Sequence, residues 1–474
     1  MYSRLSAILI RQIRREKLFS LRFLLRYILR GTFVGVLLSI ALWGDVASPI
    51  YGTALYRGTI SPASQRLSLP ASSLKVAPNT LVVRSMAQKY MNALLDQNYE
   101  VMWSLLHPHM RMKWPSEKAF ANFWQARFHD YTLQGFTLGQ VWHSSFWVDP
   151  ETMVQYKQVD ELPVSLQLTP NDTAQHGVLL PPEDVHPDQV LHNLPFTVQH
   201  IATKGESVGQ WFILDGGPAD PEAPILPPLT PVTRTVQVPI LMYHHIAPYA
   251  SYNPLSSYFS VWVVAPKDFS QQMDYLEMHG YHTITFNQLF NALYYGGPLP
   301  PKPIILTFDD GTIDHYQFAY PILQKHHFSG MFYIITGRVG MDGQMDWPQL
   351  REMLKHGMQM GSHTIHHIDL AIKMLGPEDV VQEELRESKQ MLQRELGIVI
   401  QQFCYPYGDP FNRGSDQQRQ RIVTLLAADG YVGATTAFGE TGRTQESQHP
   451  FALLRITVSG LEGFQDFIAR LTLP

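Results

Sequence analysis

The 474-residue chain holds a single cysteine, Cys404. One thiol forms no intramolecular disulfide and excludes a zinc–thiolate cluster. It sits in a strand-like run, Phe403-Cys404-Tyr405, and reads as buried rather than reactive. Basic charge is scarce outside the first 43 residues. Eight of the 36 Lys/Arg and one of the 41 Asp/Glu fall in that head, which leaves 28 basic against 40 acidic side chains in the body, net −12. An acidic body argues against a nucleic-acid surface. Internal repeats and long low-complexity tracts are absent as well. Apolar content is ordinary for a globular fold, and the length suggests about two to four domains.

The head is what the body is not. Arg4, Arg11, Arg14, Arg15, Lys17, Arg22, Arg26 and Arg30 precede residues 31–43, which carry no charge. Residues 31–43 alone are short for a membrane span and resemble a signal-peptide core. Extended back to Leu24, the stretch reaches about twenty residues, with Arg26 and Arg30 placed to snorkel. Asp45-Val46-Ala47 puts an acid where a cleavage site needs a small residue. Residues 1–43 are therefore expected to be a single-pass anchor with its basic end in the cytoplasm and the body outside. Secretion after signal cleavage is the alternative, and it leaves the body outside too.

Residues 44–77, rich in Ser, Pro and Ala, read as a linker. Residues 217–235 read as a second one, too proline-dense for a helix or a central strand. Between them, residues 78–216 begin with helical periodicity over 82–95. Strand-like runs follow at 136–141, 152–159, 162–168, 196–201 and 210–214. Helices first and strands after predict an α+β layer fold. Its last run, Gly209-Gln-Trp-Phe-Ile-Leu-Asp, resembles the final strand of NTF2-like domains. His107, His109 and His143 are read as ordinary surface or core histidines. From 236 to 474, strand-like runs (238–243, 282–286, 303–308, 330–335, 359–363, 401–405, 431–436, 453–458) alternate with helical ones (269–279, 347–356, 377–396, 417–429). That alternation predicts an α/β fold with a parallel sheet, closed or open.

The chemistry sits at the strand ends. Ile304-Ile305-Leu306 runs into Thr307-Phe308-Asp309-Asp310-Gly311, and about fifty residues later comes Ser362-His363-Thr364-Ile365-His366-His367. Two adjacent carboxylates and two histidines four apart are the parts of a catalytic metal site. Three imidazole or carboxylate ligands leave one position of a divalent ion open, and a further carboxylate serves as base on water. Either motif alone is a weak signal; in this order and context they reinforce one another. His244, Asp309, Asp310, His363 and Tyr407 all fall at C-terminal strand ends, where barrel active sites are built.

These motifs, with Phe403-Cys404-Tyr405-Pro406-Tyr407-Gly408, resemble those of the polysaccharide deacetylases, the NodB-homology carbohydrate esterases. The likeness covers about residues 236–474 and is nearest the branch that includes poly-N-acetylglucosamine deacetylases. It implies a distorted (β/α) barrel, preceded here by the α+β NTF2-like domain and the N-terminal membrane segment. By motif it makes Asp310, His363 and His367 the metal ligands and Asp309 the general base. The backbone N–H of Tyr407 would stabilise an oxyanion. The ion would be zinc, with cobalt or nickel as alternatives. His366 would lie beside the site or face solvent.

The chain departs from the family twice. The usual C-terminal Leu-x-His is Leu454-Arg455-Ile456 here, so the general acid is sought at Met242-Tyr243-His244-His245. Strand alternation lets one of the two histidines face the cleft. His244 is the choice and His315 the fallback. Cys404 stands where many relatives have an arginine that fixes the base, and Arg455 is its candidate replacement. The expected partner is an N-acetylated extracellular polysaccharide, with the membrane held through the N-terminus and no nucleic acid. The sequence identifies no protein partner. The competing reading is a non-catalytic carbohydrate-binding or surface-scaffold protein that keeps the fold.

Overall fold

The computed structural model describes residues 79–171, 189–201, 209–248, 261–374, 376, 378–437 and 442–472. The expected anchor and first linker, 1–77, lie outside them. Among the described residues no helix is long and apolar enough to cross a membrane.

The helices Thr80–Leu95, Tyr99–Leu105, Pro108–Met112 and Glu117–Arg127 come first. The longest turns Val83, Met86, Ala87, Tyr90, Met91 and Leu94 inward, the 3.6-residue spacing of an amphipathic helix. They are followed by a five-stranded antiparallel sheet. Its central strand, Gln155–Pro170, is paired along its first half by Trp142–Val148 and along its second by Tyr131–Leu138. The sequence suggested two strands there. Pro163 does not break the strand because it falls opposite the turn after Leu138 and across from Pro195, so no ladder bond needs its missing N–H.

The second sheet is parallel and has eight strands. Its path runs Gly433–Thr435, Gln402–Cys404, Gln359–Ser362, Met331–Ile334, Pro303–Phe308, Ile240–Tyr243, Ile456–Thr457, and His282–Thr283 pairs beside Pro303–Phe308. The two ends nearly meet. Leu453 bridges Thr435, and three residues later Ile456 pairs with Leu241. The wall is thus curved and incompletely laddered. Helices Pro266–Met278, Trp347–Lys355, Glu378–Leu396 and Asp416–Ala428 return the chain between strands. One segment differs from expectation. Phe286 opens a helix, Phe286–Tyr295, started by a reciprocal Thr285/Gln288 capping box.

A single buried cluster runs from Val83 and Trp124 through Phe196 to Phe290, Tyr333 and Cys404, so the antiparallel layer and the parallel sheet share a core. Residues 217–235 form no long element, as their prolines dictate, yet they are fastened on both sides. Arg127 donates to the carbonyls of Ala223 and Pro224. Asp130 accepts from Leu229 N–H, and Gln401 both donates to and accepts from the Ile225 peptide.

Candidate active site

Parallel pairing delivers the site residues to one end of the sheet. The Asp309 N–H donates to Tyr243 O (3.0 Å) and the His363 N–H to Ile334 O (3.0 Å), so both leave their strands at the same level. Asp310 then turns sharply, with φ of 80°. Gly311 follows at φ 70°, where a Cβ would sit 3.2 Å from the Ile334 side chain. Thr364 (65°), His367 (57°) and Tyr407 (60°) are also left-handed. Each such non-glycine residue costs about 1–3 kcal/mol, and such strain gathers at functional sites.

The segment 363–367 is a tight loop. Thr364 Oγ1 accepts from the His367 N–H (2.9 Å). Glu384 accepts from the N–H groups of Ile365 and His366 and from His366 Nδ1 (2.6 Å), which holds that ring outward. His363 is oriented differently. Its Nδ1 lies 2.8 Å from Cys404 O, so that nitrogen carries a proton. Burial disfavours a second one, but Cys404 and the Asp310 carboxylate raise the His363 pKa well above the usual imidazole range, so Nε2 must give up a proton to act as a ligand. The Nε2 atoms of His363 and His367 stand 3.5 and 3.4 Å from Asp310 Oδ1. That Oδ1 is buried and has no hydrogen-bond partner among the described residues.

These facts test the donor set against a cation. Ligands about 2.1 Å from a tetrahedral zinc lie roughly 3.4 Å apart. The orphaned oxygen stands at that spacing from each nitrogen, and all three atoms lie within 4.8 Å of one another. Burial, with the nearby His363, pushes His367 down to about 4, so it is neutral as a ligand must be. Burial alone would raise Asp310, but His363, His244 and His367 hold its carboxyl far below the usual range. Asp309, His363 and Cys404 also lie close enough to form a ligand group. Asp309 is already taken by another partner.

That partner is Arg455. Nη1 donates to Asp309 Oδ1 (2.7 Å) and Nη2 to Oδ2 (2.8 Å), a bidentate fork in which both side chains are buried. The remaining guanidinium N–H groups go to Thr436 O, Thr307 Oγ1 and Cys404 Sγ. Burial would raise the Asp309 carboxyl; Arg455 pulls it down instead, to about 2. His244 Nε2 lies 3.9 Å from Asp309 Oδ2, and the ring packs 4.4 Å from the Trp262 ring. Burial lowers the His244 pKa, opposed by Asp309 and Asp310. His245 instead meets Asp314 Oδ2 at 3.1 Å. Tyr407 is half exposed, its ring 4.7 Å from that of His367.

The structure therefore groups Asp309, Asp310, His363, His367, His244, Arg455 and Tyr407. It sets His366 apart. His315, the fallback acid, is fully buried and its Nε2 meets His244 O. Glu384, Trp262 and Thr307 were not found from sequence. Thr307 stands inside the Thr-Phe-Asp-Asp-Gly run and was the one within reach of a motif argument.

Residues 296–425 match the family model for polysaccharide deacetylase. YxkH of Bacillus subtilis (strain 168), assigned to the polysaccharide deacetylases, is 32% identical over 234 residues, 48% of this chain and 75% of its own. The poly-beta-1,6-N-acetyl-D-glucosamine N-deacetylase of Staphylococcus aureus (strain MSSA476) is 27% identical over 187 residues, 35% of this chain and 63% of its own. A solved Streptococcus pyogenes deacetylase, PplD in complex with acetate, is 27% identical, with 50% of this chain and 99% of that one covered and a TM-score of 0.43.

Proposed function

We propose, for a chain that belongs to the polysaccharide deacetylase family, the hydrolytic N-deacetylation of an N-acetylglucosamine-containing polysaccharide outside the cytoplasm, with release of acetate. One observation carries this reading. Three ligand atoms of Asp310, His363 and His367 converge around an oxygen with no other partner, beside a carboxylate locked to a buried arginine. The substrate class is that named for the Staphylococcus aureus relative.

A divalent cation held by Asp310, His363 and His367 would supply Lewis acidity, polarising an acyl oxygen and acidifying a water; zinc is the first choice, cobalt and nickel the alternatives. Asp309 takes the proton as water adds to the acetamide carbon. Arg455 holds one guanidinium N–H on each of its oxygens, which fixes the carboxylate plane and keeps it ionised. The Tyr407 N–H donates to the oxygen that becomes negative. His244, beside Asp309, gives a proton to nitrogen as the carbon–nitrogen bond breaks, since an amine leaves poorly as an anion. The α+β unit ahead of the barrel is assigned as an NTF2-like spacer, docking domain or ligand cup. Residues 1–43 are assigned as the membrane anchor.

Acetate release from N-acetylglucosamine oligomers by the full chain tests the assignment. Release that stops on chelation and returns with zinc is the expected result. Metal-loaded protein that frees no acetate from any N-acetylated glycan, yet binds one, would move the assignment to the carbohydrate-binding scaffold.

A further inference from the structure

His244 lacks the anchor that an acid histidine usually has. A carboxylate or carbonyl on the second ring nitrogen ordinarily fixes tautomer and direction. Here Nδ1 of His244 is buried and unpartnered among the described residues, and the ring rests against Trp262. What is held instead is the backbone on either side of it. His315 Nε2 donates to the carbonyl oxygen of His244 itself. Asp314 Oδ2 accepts from the Ile246 N–H (3.1 Å) and meets His245 Nδ1 (3.1 Å), while Thr312 Oγ1 donates to Asp314 Oδ1.

The clamp is itself rigid. His315 opens a short π-helical turn, His315–Ala319, a form often found at functional positions. Its ring packs against the side of the stacked pair Phe308 and Phe332, with centroids 5.6 and 5.7 Å away. The turn begins only a few residues after Asp309 and Asp310. The clamp thus ties the strand end that bears His244 to the strand end that bears the two aspartates.

We propose that His315 and Asp314 are positioning residues for proton delivery: they pin the peptide groups flanking His244 and so aim an imidazole that has no partner of its own. The proposal rests on His244 as general acid. It also explains why a second histidine, His245, stands beside the first: its ring is part of the clamp.

The test compares two substrates on the full, zinc-loaded chain: an N-acetylglucosamine oligomer, whose amine must be protonated to leave, and 4-nitrophenyl acetate, whose phenolate needs no proton. His315→Leu removes the donor; His315→Gln keeps an N–H near the same place. Asp314→Ala and Asp314→Asn form the parallel pair. His315→Leu and Asp314→Ala should lower amide kcat on the order of tenfold to a hundredfold, the scale of a misaimed catalytic group. Ester turnover, KM and zinc content should stay within about threefold on that same scale. His315→Gln should recover most of the loss. Added to His244→Ala, His315→Leu should cost nothing further, because it acts through that ring.

Equal losses on ester and amide, or a further loss on top of His244→Ala, would make the clamp merely structural and overturn the proposal. Should His315→Leu fail to fold, Asp314→Ala decides by the same amide-to-ester ratio. If His244→Ala itself depresses both substrates alike, the acid assignment falls and the clamp falls with it. If His244→Ala is selective and the clamp variants are not, only the clamp is wrong.

Discussion

Replacing Arg455 by methionine isolates the strongest polar contact of the site. The guanidinium and the Asp309 carboxylate are both buried, and two of the five guanidinium bonds go to that carboxylate. Methionine fills much of the volume, so what changes is chiefly charge. Removing one partner of a buried ion pair leaves the other uncompensated and costs about 3–5 kcal/mol. In urea that is a fall in midpoint of roughly 1 M or more, for an unfolding slope near 3 kcal/mol per M. The measurement belongs in chelator, so that a bound cation does not mask the lost arginine. The sign of the pH dependence follows. In the native chain Asp309 is depressed to about 2, so it adds stability above its unfolded value, near 4, and that stability is lost as pH falls through about 2. In Arg455→Met, burial raises the carboxyl against only His244 and His363, so the stabilising depression shrinks or reverses and Asp309 opposes folding more as pH rises. Arg455→Met/Asp309→Asn removes both charges and should recover most of the loss, though without catalysis. A single variant as stable as the parent, or a double variant no better than the single, would refute the buried-pair argument.

Asp309→Asn should abolish deacetylation yet keep the metal, because Asp310, His363 and His367 form the cradle; metal-free, folded Asp309→Asn would mean the two aspartates are reversed. His363→Ala and His367→Ala should each lose metal and activity, whereas His366→Ala, whose ring faces Glu384, should keep most of both; a dead His366→Ala with an active His367→Ala would invert the assignment. Chelation should silence the enzyme, with zinc, cobalt and nickel compared for recovery of acetate release. Protease added to intact cells should digest the body while residues 1–43 stay with the membrane fraction; full protection of the body would exclude that topology.

What was readable in the sequence was what local chemistry marks. Asp309, Asp310, His363 and Tyr407 were placed because each follows an apolar run and each strand in a parallel sheet ends at the same face. The helix Phe286–Tyr295 was hidden by Ile284-Thr285-Phe286, which reads as strand; the Thr285/Gln288 box was the signal to weigh. The Asp309–Arg455 pair joins residues 146 apart, and only chain order near the last strand hinted at it. Residues 217–235 looked like a tether because proline bars regular structure there. Proline does not bar burial, and Arg127, Asp130 and Gln401 supply the bonds that such a backbone needs.

The same contrast separates the two histidines of the first strand. Alternation said that one of His244 and His245 faces the cleft, and it could say no more, because the deciding contacts come from elsewhere. Asp314 claims His245, and Asp309 lies next to His244. A carboxylate beside each ring gives the two neighbours different work. One is held as part of a rigid turn; the other is left with an unpartnered nitrogen at the edge of the site. A general acid needs one ring nitrogen open to the leaving group, and in His244 that is Nε2, the nitrogen near Asp309. No partner among the described residues holds the other nitrogen, so the aim of the ring depends on its backbone being held still.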